Sequence, residues 1–373
     1  SPPFATGLPH YGHILAGTIK DTVLRYIQQR GYAVDSRFGW DCHGLPIEHE
    51  IDKKLGMSGK DAVEKIGMEA YNSECRKIVL RCRDDWEKTT ERIGRWIDYK
   101  NDYKTMDKDF MESVWWAFKT LYGKGLVYSG IRVMPYSTAC ATPLSNFEVA
   151  MNYKEALDYS IVVKFPLADD PATFLLAWTT TPWTLPSNLA LCVNPEMTYV
   201  YAACGGETYV FEESRLGYVA KELGAELVPA DQKTGKKLAG LRYTPVFGFF
   251  SQQGAHRVIA DSYVEAGTGT GIVHQAPGFG EDDLRCCVKN GIVTIENTPC
   301  PLDPHGFFVE PVSDYAGCFY KDTEKTIVKT LQERGLLVSA RKELHSTPHC
   351  WRSDTPLIYR AVSSWFVRVE EHT

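Results

Sequence analysis

Three short stretches of this chain carry residue types at spacings that suit chemistry. In Pro9-His10-Tyr11-Gly12-His13, two imidazoles lie three residues apart where helical periodicity begins. That spacing places both on one face of a helix, beside its N-terminus. Free N–H groups and the helix dipole favour anions there. Two imidazole donors in that position suit a phosphate and the charge that develops on it. Gly12 between them lets a nucleotide approach the backbone closely. The second stretch is Trp178-Thr179-Thr180-Thr181-Pro182-Trp183-Thr184-Leu185-Pro186-Ser187-Asn188. Its two prolines break a strand ladder and fix a rigid loop. Such a loop presents hydroxyls and an amide, which donate and accept toward a ribose, an ester carbonyl or an attacking water. The third stretch runs from Gly269 to Asp283 and holds His274, Asp282 and Asp283. Taken singly, each also has a plain structural explanation: surface histidines near a cap, a threonine-rich strand edge, a core histidine, and acids at a helix start.

The elements that must position these groups are read from periodicity. Ile14, Leu15, Ile19, Val23, Leu24 and Ile27 fall near a 3.6-residue stripe, which predicts a helix stopped by Gly31. Residues 32–38 fit a strand leading into the loop Trp40-Asp41-Cys42-His43-Gly44-Leu45-Pro46. Strand, loop and helix in that order suit an open α/β sheet. Residues 60–125 read as mostly helical. Trp86, Ile93, Trp96 and Ile97 mark one apolar face, and Phe110, Val114, Trp115, Phe118 and Leu121 another. A short strand over 126–129 follows. Near residue 156 the texture changes to short strands between Pro, Gly, Asn and Asp: 159–165, 173–178, 189–193, 199–203, 209–211, 257–260 and 271–274. Helices are predicted over 213–223, 282–289 and 321–334. Residues 359–362 and 365–369 fit strands that rejoin the first domain. The boundaries expected are 1–145, 146–345 for a mostly β insertion, and 346–373 for the return.

Composition sets broad limits. Of 373 residues, 44% are hydrophobic and 24% charged, which is ordinary for a globular chain with a sizeable core. The formal net charge of -6 argues against a uniformly basic coat, but a local Lys/Arg surface can still track phosphates. Eleven cysteines form no C-x-x-C pair, so a reduced intracellular setting is expected and zinc is not. His349-Cys350 are adjacent, awkward as joint metal ligands, and are read as structural. No apolar run nears the ~20 residues that span a bilayer, and no membrane association is expected. The chain begins without Met and stops at Glu371-His372-Thr373, so both ends are expected to be cut points.

Longer strings resolve the open readings. Pro2-Pro3-Phe4-Ala5-Thr6-Gly7-Leu8-Pro9-His10-Tyr11-Gly12-His13 resembles the HIGH signature of class I aminoacyl-tRNA synthetases. Gly39-Trp40-Asp41-Cys42-His43-Gly44-Leu45-Pro46-Ile47-Glu48 is similar to the partner motif of the isoleucyl branch, in its cytoplasmic eukaryotic-like form; leucyl and valyl relatives carry a different set there. The resemblance implies that His10, Gly12 and His13 bind ATP, that Asp41 holds a substrate ammonium, and that Pro2 lines the amino-acid pocket. The family usually has Gly before Pro2, where Ser1 stands here. The KMSKS motif is absent from these 373 residues, so this chain by itself is expected not to form aminoacyl adenylate at a useful rate.

The threonine string and the His274–Asp283 string together resemble the editing pocket of isoleucyl, valyl and leucyl synthetases. By that resemblance Asp283 anchors the substrate α-ammonium, with Asp282 as the second choice. Thr179, Thr180 and Thr184 position ester and water, His274 contacts the substrate, and Thr181, Trp183 and Asn188 complete the pocket. The implied fold is α/β: the first half of a Rossmann-like domain with a large, barrel-like α+β insertion. The implied activity is isoleucine–tRNA ligation in a full enzyme, with hydrolysis of mischarged Val-tRNA(Ile) in the insertion. ATP with Mg2+, tRNA(Ile), isoleucine, valine, a cytoplasmic location and membership of a larger synthetase complex follow from the same resemblance. A valyl or leucyl relative, or a catalytically silent tRNA-binding module, are the competing expectations.

Overall fold

A computed structural model describes residues 2–57, 59–251 and 254–369. Ser1 and Glu371-His372-Thr373, which bear on the expected cut ends, lie outside the described residues. The chain divides into two compact units: residues up to Tyr128 with those from Val367, and Ser129–Phe366.

The first unit runs α1 (Tyr11–Gln29), β1 (Arg37–Trp40), α2 (Leu45–Leu55), α3 (Gly59–Ile66), α4 (Met68–Ile78), α5 (Arg83–Arg92), β2 (Asp98–Lys104) and α6 (Lys108–Gly123). Strands β1 and β2 pair in parallel. Of the expected strand over 32–38 only Arg37 and Phe38 lie in β1, which continues through Gly39 into Trp40, the first residue of the expected loop, because the buried residues are Phe38, Gly39 and Trp40. That core gathers Ala5, Phe38, Trp40, Ile47, Trp86 and Tyr99. The expected helical run over 60–125 is interrupted by β2, whose sequence Asp-Tyr-Lys-Asn-Asp-Tyr-Lys has no apolar run to announce it. It is held by Tyr99, which stacks on Phe38 in the core, and by polar contacts. Asp102 accepts from Trp40 Nε1 at 2.8 Å and pairs with Arg83 at 3.0 Å and Lys104 at 2.7 Å. Helix α6 forms where expected, but its apolar face is not buried: Trp115 and Trp116 are 69% and 70% exposed.

The elements that follow, in the second unit apart from Val127 and Tyr128 at the start of β3 and Val367 at the end of β14, are β3 (Val127–Ser137), β4 (Thr142–Pro143), α7 (Asn146–Val149), β5 (Tyr153–Pro166), β6 (Thr173–Thr179), β7 (Ala190–Val193), β8 (Thr198–Cys204), β9 (Glu207–Glu212), α8 (Leu216–Leu223), β10 (Val228–Thr234), α9 (Gly235–Leu238), β11 (Arg257–Ala260), β12 (Ile272–Gln275), α10 (Glu281–Lys289), α11 (Tyr320–Glu333), β13 (Leu337–Pro348) and β14 (Ile358–Val367). The short strand expected over 126–129 is the start of the longer β3, and the two expected near the end are the single β14. A six-stranded sheet has the order β10-β8-β9-β6-β5-β13, and two three-stranded sheets have the orders β11-β7-β12 and β14-β3-β4. Among the described residues these sheets stay open, so the expected barrel-like closure is not seen.

Alternation along the strands explains their nearly continuous apolar character. Ile161, Val163 and Phe165 of β5, Leu175 and Ala177 of β6, and Leu191 and Val193 of β7 share one core. Val162, Phe174 and Leu176 point the other way and pack with Val219 on α8. Ala190 and Cys192 of β7 pack with Cys286 and Cys287 on α10. The order is therefore α8, large sheet, small sheet, α10. No described helix is long and apolar enough to cross a membrane.

Candidate functional site

At the N-terminal motif, His10 is the N-cap of α1 and His13 its third residue, and the two form a reciprocal capping box. His10 Nδ1 accepts from the Gly12 N–H at 3.1 Å, and His13 Nδ1 accepts from the His10 N–H at 3.2 Å. With both Nδ1 atoms occupied as acceptors, each ring carries its proton on Nε2. The rings stack with centroids 3.6 Å apart. Burial, and after it the neighbouring His10, hold the His13 pKa below the ordinary imidazole value. A Cβ on Gly12 would press within 3.1 Å of the His10 ring, so the glycine also serves the stack. The Pro3 carbonyl accepts from the Asp41 N–H at 2.9 Å, and Phe4 bridges Asp41 in parallel. Pro2 lines a cavity of about 290 Å³ with Phe38, Arg95 and Tyr103, which His10, His13 and Asp41 do not line.

In the second unit, β6 ends at Thr179 and the chain enters a 3-10 turn over Pro182–Ser187, every residue of which is buried. Opposite, β12 carries His274 beside Leu191 of β7 in antiparallel register. The loop after β12 leads into α10, where Asp283 lies in the first turn. These elements enclose a cavity of about 420 Å³ lined by Thr179, Thr180, Thr181, Thr184, His274 and Asp283 among others. Trp183, Asn188 and Asp282 do not line it. Trp183 packs edge-on against Phe279 and Tyr320 at 5.0 and 4.8 Å. Asp282 is exposed and pairs with Arg285 at 2.9 Å.

The Asp283 carboxylate accepts from the Ala276 N–H at 2.9 Å. Burial nonetheless pushes its pKa up to about 7. Gly280 makes room for it, since a Cβ there would lie 2.6 Å from the Asp283 Cγ. Helix α10 is fixed by Arg285, which makes two bonds to Asp261 at 3.0 and 3.1 Å.

His274 is 7% exposed, and burial holds its pKa down to about 4, so it is neutral at physiological pH. Its Nε2 lies 2.8 Å from Thr184 Oγ1 and its Nδ1 3.3 Å from Asn188 Nδ2. Thr184 Oγ1 donates to the Thr181 carbonyl at 2.8 Å, and Thr179 Oγ1 accepts from the Thr181 N–H at 3.1 Å. Sequence reasoning missed Tyr263, Val264, Glu265 and Thr268 on the cavity wall. They sit in a loop with no motif, and only the Gly267–Gly271 glycines signal that the backbone there is unusual, with positive φ at Gly267, Gly269 and Gly271. It also missed Tyr243, which lies behind Asn188 and donates to it at 2.7 Å.

The chain is 55% identical to mouse cytoplasmic isoleucine–tRNA ligase, a match covering 99% of this chain and 30% of that protein. To the cytoplasmic isoleucine–tRNA ligase of Schizosaccharomyces pombe it is 53% identical, over 100% of this chain and 36% of that protein. It thus spans about a third of the length of these relatives. Among solved structures, the editing domain of the P. knowlesi cytosolic leucyl-tRNA synthetase aligns with 52% of this chain and 97% of its own, at 13% identity and a TM-score of 0.38. The family model described as tRNA synthetases class I (I, L, M and V) matches residues 1–373, and the chain belongs to that family.

Proposed function

We propose that this chain is part of an isoleucine–tRNA ligase and that the cavity between the threonine loop and Asp283 hydrolyses valine mis-attached to tRNA(Ile). One observation carries this reading: two stretches about a hundred residues apart in sequence line a single cavity. The need for such a site follows from size. One methylene in an apolar pocket is worth only ~1–3 kcal/mol, a limit for which isoleucine against valine is itself the standard illustration. A second pocket that admits valine can reject isoleucine by overpacking.

In the proposed reaction the Asp283 carboxylate holds the α-ammonium, while Thr179, Thr180 and Thr184 orient ester and water. Water oxygen attacks the carbonyl carbon, the bond from that carbon to the ribose oxygen breaks with its electron pair staying on that oxygen, and a proton given up by the water ends there. Valine and the free ribose hydroxyl leave. His274, neutral and hydrogen-bonded at both ring nitrogens, supports Thr184 and is a poor general base. Trp183 and Asn188 back the pocket, and Asp282 stays at the surface.

In the first unit, the Nε2–H groups of His10 and His13 suit ATP phosphates, and Asp41 suits the isoleucine ammonium. Mg2+ prefers oxygen ligands and in this reading is carried by the nucleotide phosphates. Boundaries at 1–145, 146–345 and 346–373, a cytoplasmic site of action and assembly into a larger synthetase complex belong to the same proposal. Deacylation tests it. The chain should hydrolyse Val-tRNA(Ile) and spare Ile-tRNA(Ile), and Asp283→Ala should abolish the hydrolysis with the fold intact. Full activity in that variant overturns the Asp283 assignment. Tight tRNA binding without any hydrolysis favours the silent module.

A further inference from the structure

Resting on that editing reading, we propose that Tyr243 is a positioning residue: through Asn188 it locks His274 as the Nε2–H tautomer and so leaves Thr184 Oγ1 an acceptor toward the cavity. The hydrogen bonds fix the direction at every step. Asn188 Nδ2 lies 3.0 Å from the Ala190 carbonyl, which can only accept, so that atom is the amide nitrogen. The same nitrogen faces His274 Nδ1 at 3.3 Å. An amide nitrogen only donates, so Nδ1 accepts and the ring proton lies on Nε2. That proton points to Thr184 Oγ1 at 2.8 Å. The Thr184 hydroxyl gives its own hydrogen to the Thr181 carbonyl at 2.8 Å. One lone pair remains, approached among the described residues by the Thr181 hydroxyl at 3.4 Å. Thr184 thus meets the cavity as an acceptor for a hydrogen of the attacking water or of a ribose hydroxyl.

Tyr243 anchors the far end. It is 3% exposed, and burial raises its phenol well above the ordinary value, so the hydroxyl keeps its hydrogen. It donates to Asn188 Oδ1 at 2.7 Å, which fixes the amide against rotation. The Tyr243 ring is gripped edge-on by Phe165 at 5.5 Å and by His256 at 5.9 Å.

The test uses the full chain with 15N-labelled histidine, together with steady-state deacylation of Val-tRNA(Ile). Wild type should show the His274 proton on Nε2. Tyr243→Phe should add an Nδ1-protonated population and lower kcat about tenfold with KM unchanged, because a buried acceptor loses its donor. Asn188→Asp, close in shape but able only to accept when ionised, should move the proton to Nδ1. A wild-type proton on Nδ1, or an unchanged tautomer and kcat in Tyr243→Phe, overturns the proposal. The tautomer is read without substrate. An Nε2 proton in a wild type that deacylates nothing would sink the editing reading and spare the lock.

Discussion

Replacing Asp283 by Asn should make this protein more stable at neutral pH while removing its proposed hydrolysis. Asn keeps the shape of the side chain and an oxygen to accept the Ala276 N–H, but not the charge. In the unfolded chain the carboxyl loses its proton near its ordinary value of 3.8; in the fold, burial keeps the proton on until about pH 7. Folding therefore takes up a proton between those two values. The contribution of Asp283 to stability falls as pH rises through that window and levels off above it. The gap corresponds to about 4 kcal/mol. The carboxylate faces the cavity, so solvent reduces this to ~2–3 kcal/mol. Urea denaturation of both proteins from pH 4 to pH 8.5 measures the difference, in which the other titrating groups cancel. The variant should match wild type at the acid end and exceed it by ~2–3 kcal/mol at pH 8. A difference flat across that range, or a wild type more stable at pH 8, would refute the claim that the cavity holds a costly charge.

The same carboxyl sets a pH profile: kcat/KM for Val-tRNA should rise as Asp283 ionises near pH 7 and fall as the substrate ammonium deprotonates near ~8; a profile level from pH 6 to 9 would contradict it. Gly280→Ala should displace that carboxylate and cost ~10–100-fold in deacylation for only ~1 kcal/mol of stability, read by paired kinetic and denaturation measurements. Arg285→Met leaves the buried Asp261 with Lys289 at 3.2 Å as its remaining ion-pair partner among the described residues; a loss of ~1–2 kcal/mol is expected, and no change in the urea midpoint would count against the anchoring of α10. In the first unit, alanine at both His10 and His13 should weaken ATP binding about tenfold and leave adenosine binding unchanged; calorimetry that finds equal losses for both ligands would rule out the phosphate contact.

Most of the second unit's interior was legible because its strands are buried on both faces and punctuated by Pro and Gly. The strands of β5 through β9, with β11 and β12, follow from apolar runs. The missed β2, β10 and β13 are polar: Val228–Thr234 is almost wholly exposed at a sheet edge, and Leu337–Pro348 alternates without a buried face. Such strands are specified by their partners, not by their own composition. The threonine loop and the His274–Asp283 stretch stood out because rigid prolines and close-packed glycines accompany polar groups there. Tyr243 and Tyr263 did not, since a lone tyrosine reads as core until its hydroxyl's partner is known. The α6 stripe marks a helix correctly, but periodicity alone does not say whether the face is buried, and here it is exposed.

The long antiparallel pairing of β5 with β13 sets Tyr153 opposite Pro348. To the chain on either side, everything between those two residues is the loop of one oversized hairpin. A host domain can accept such a loop, lengthen it or exchange it without moving its own strands, because the entry and exit points stay neighbours whatever lies between. A second chemistry can in this way be added to an existing enzyme with little disturbance to the first.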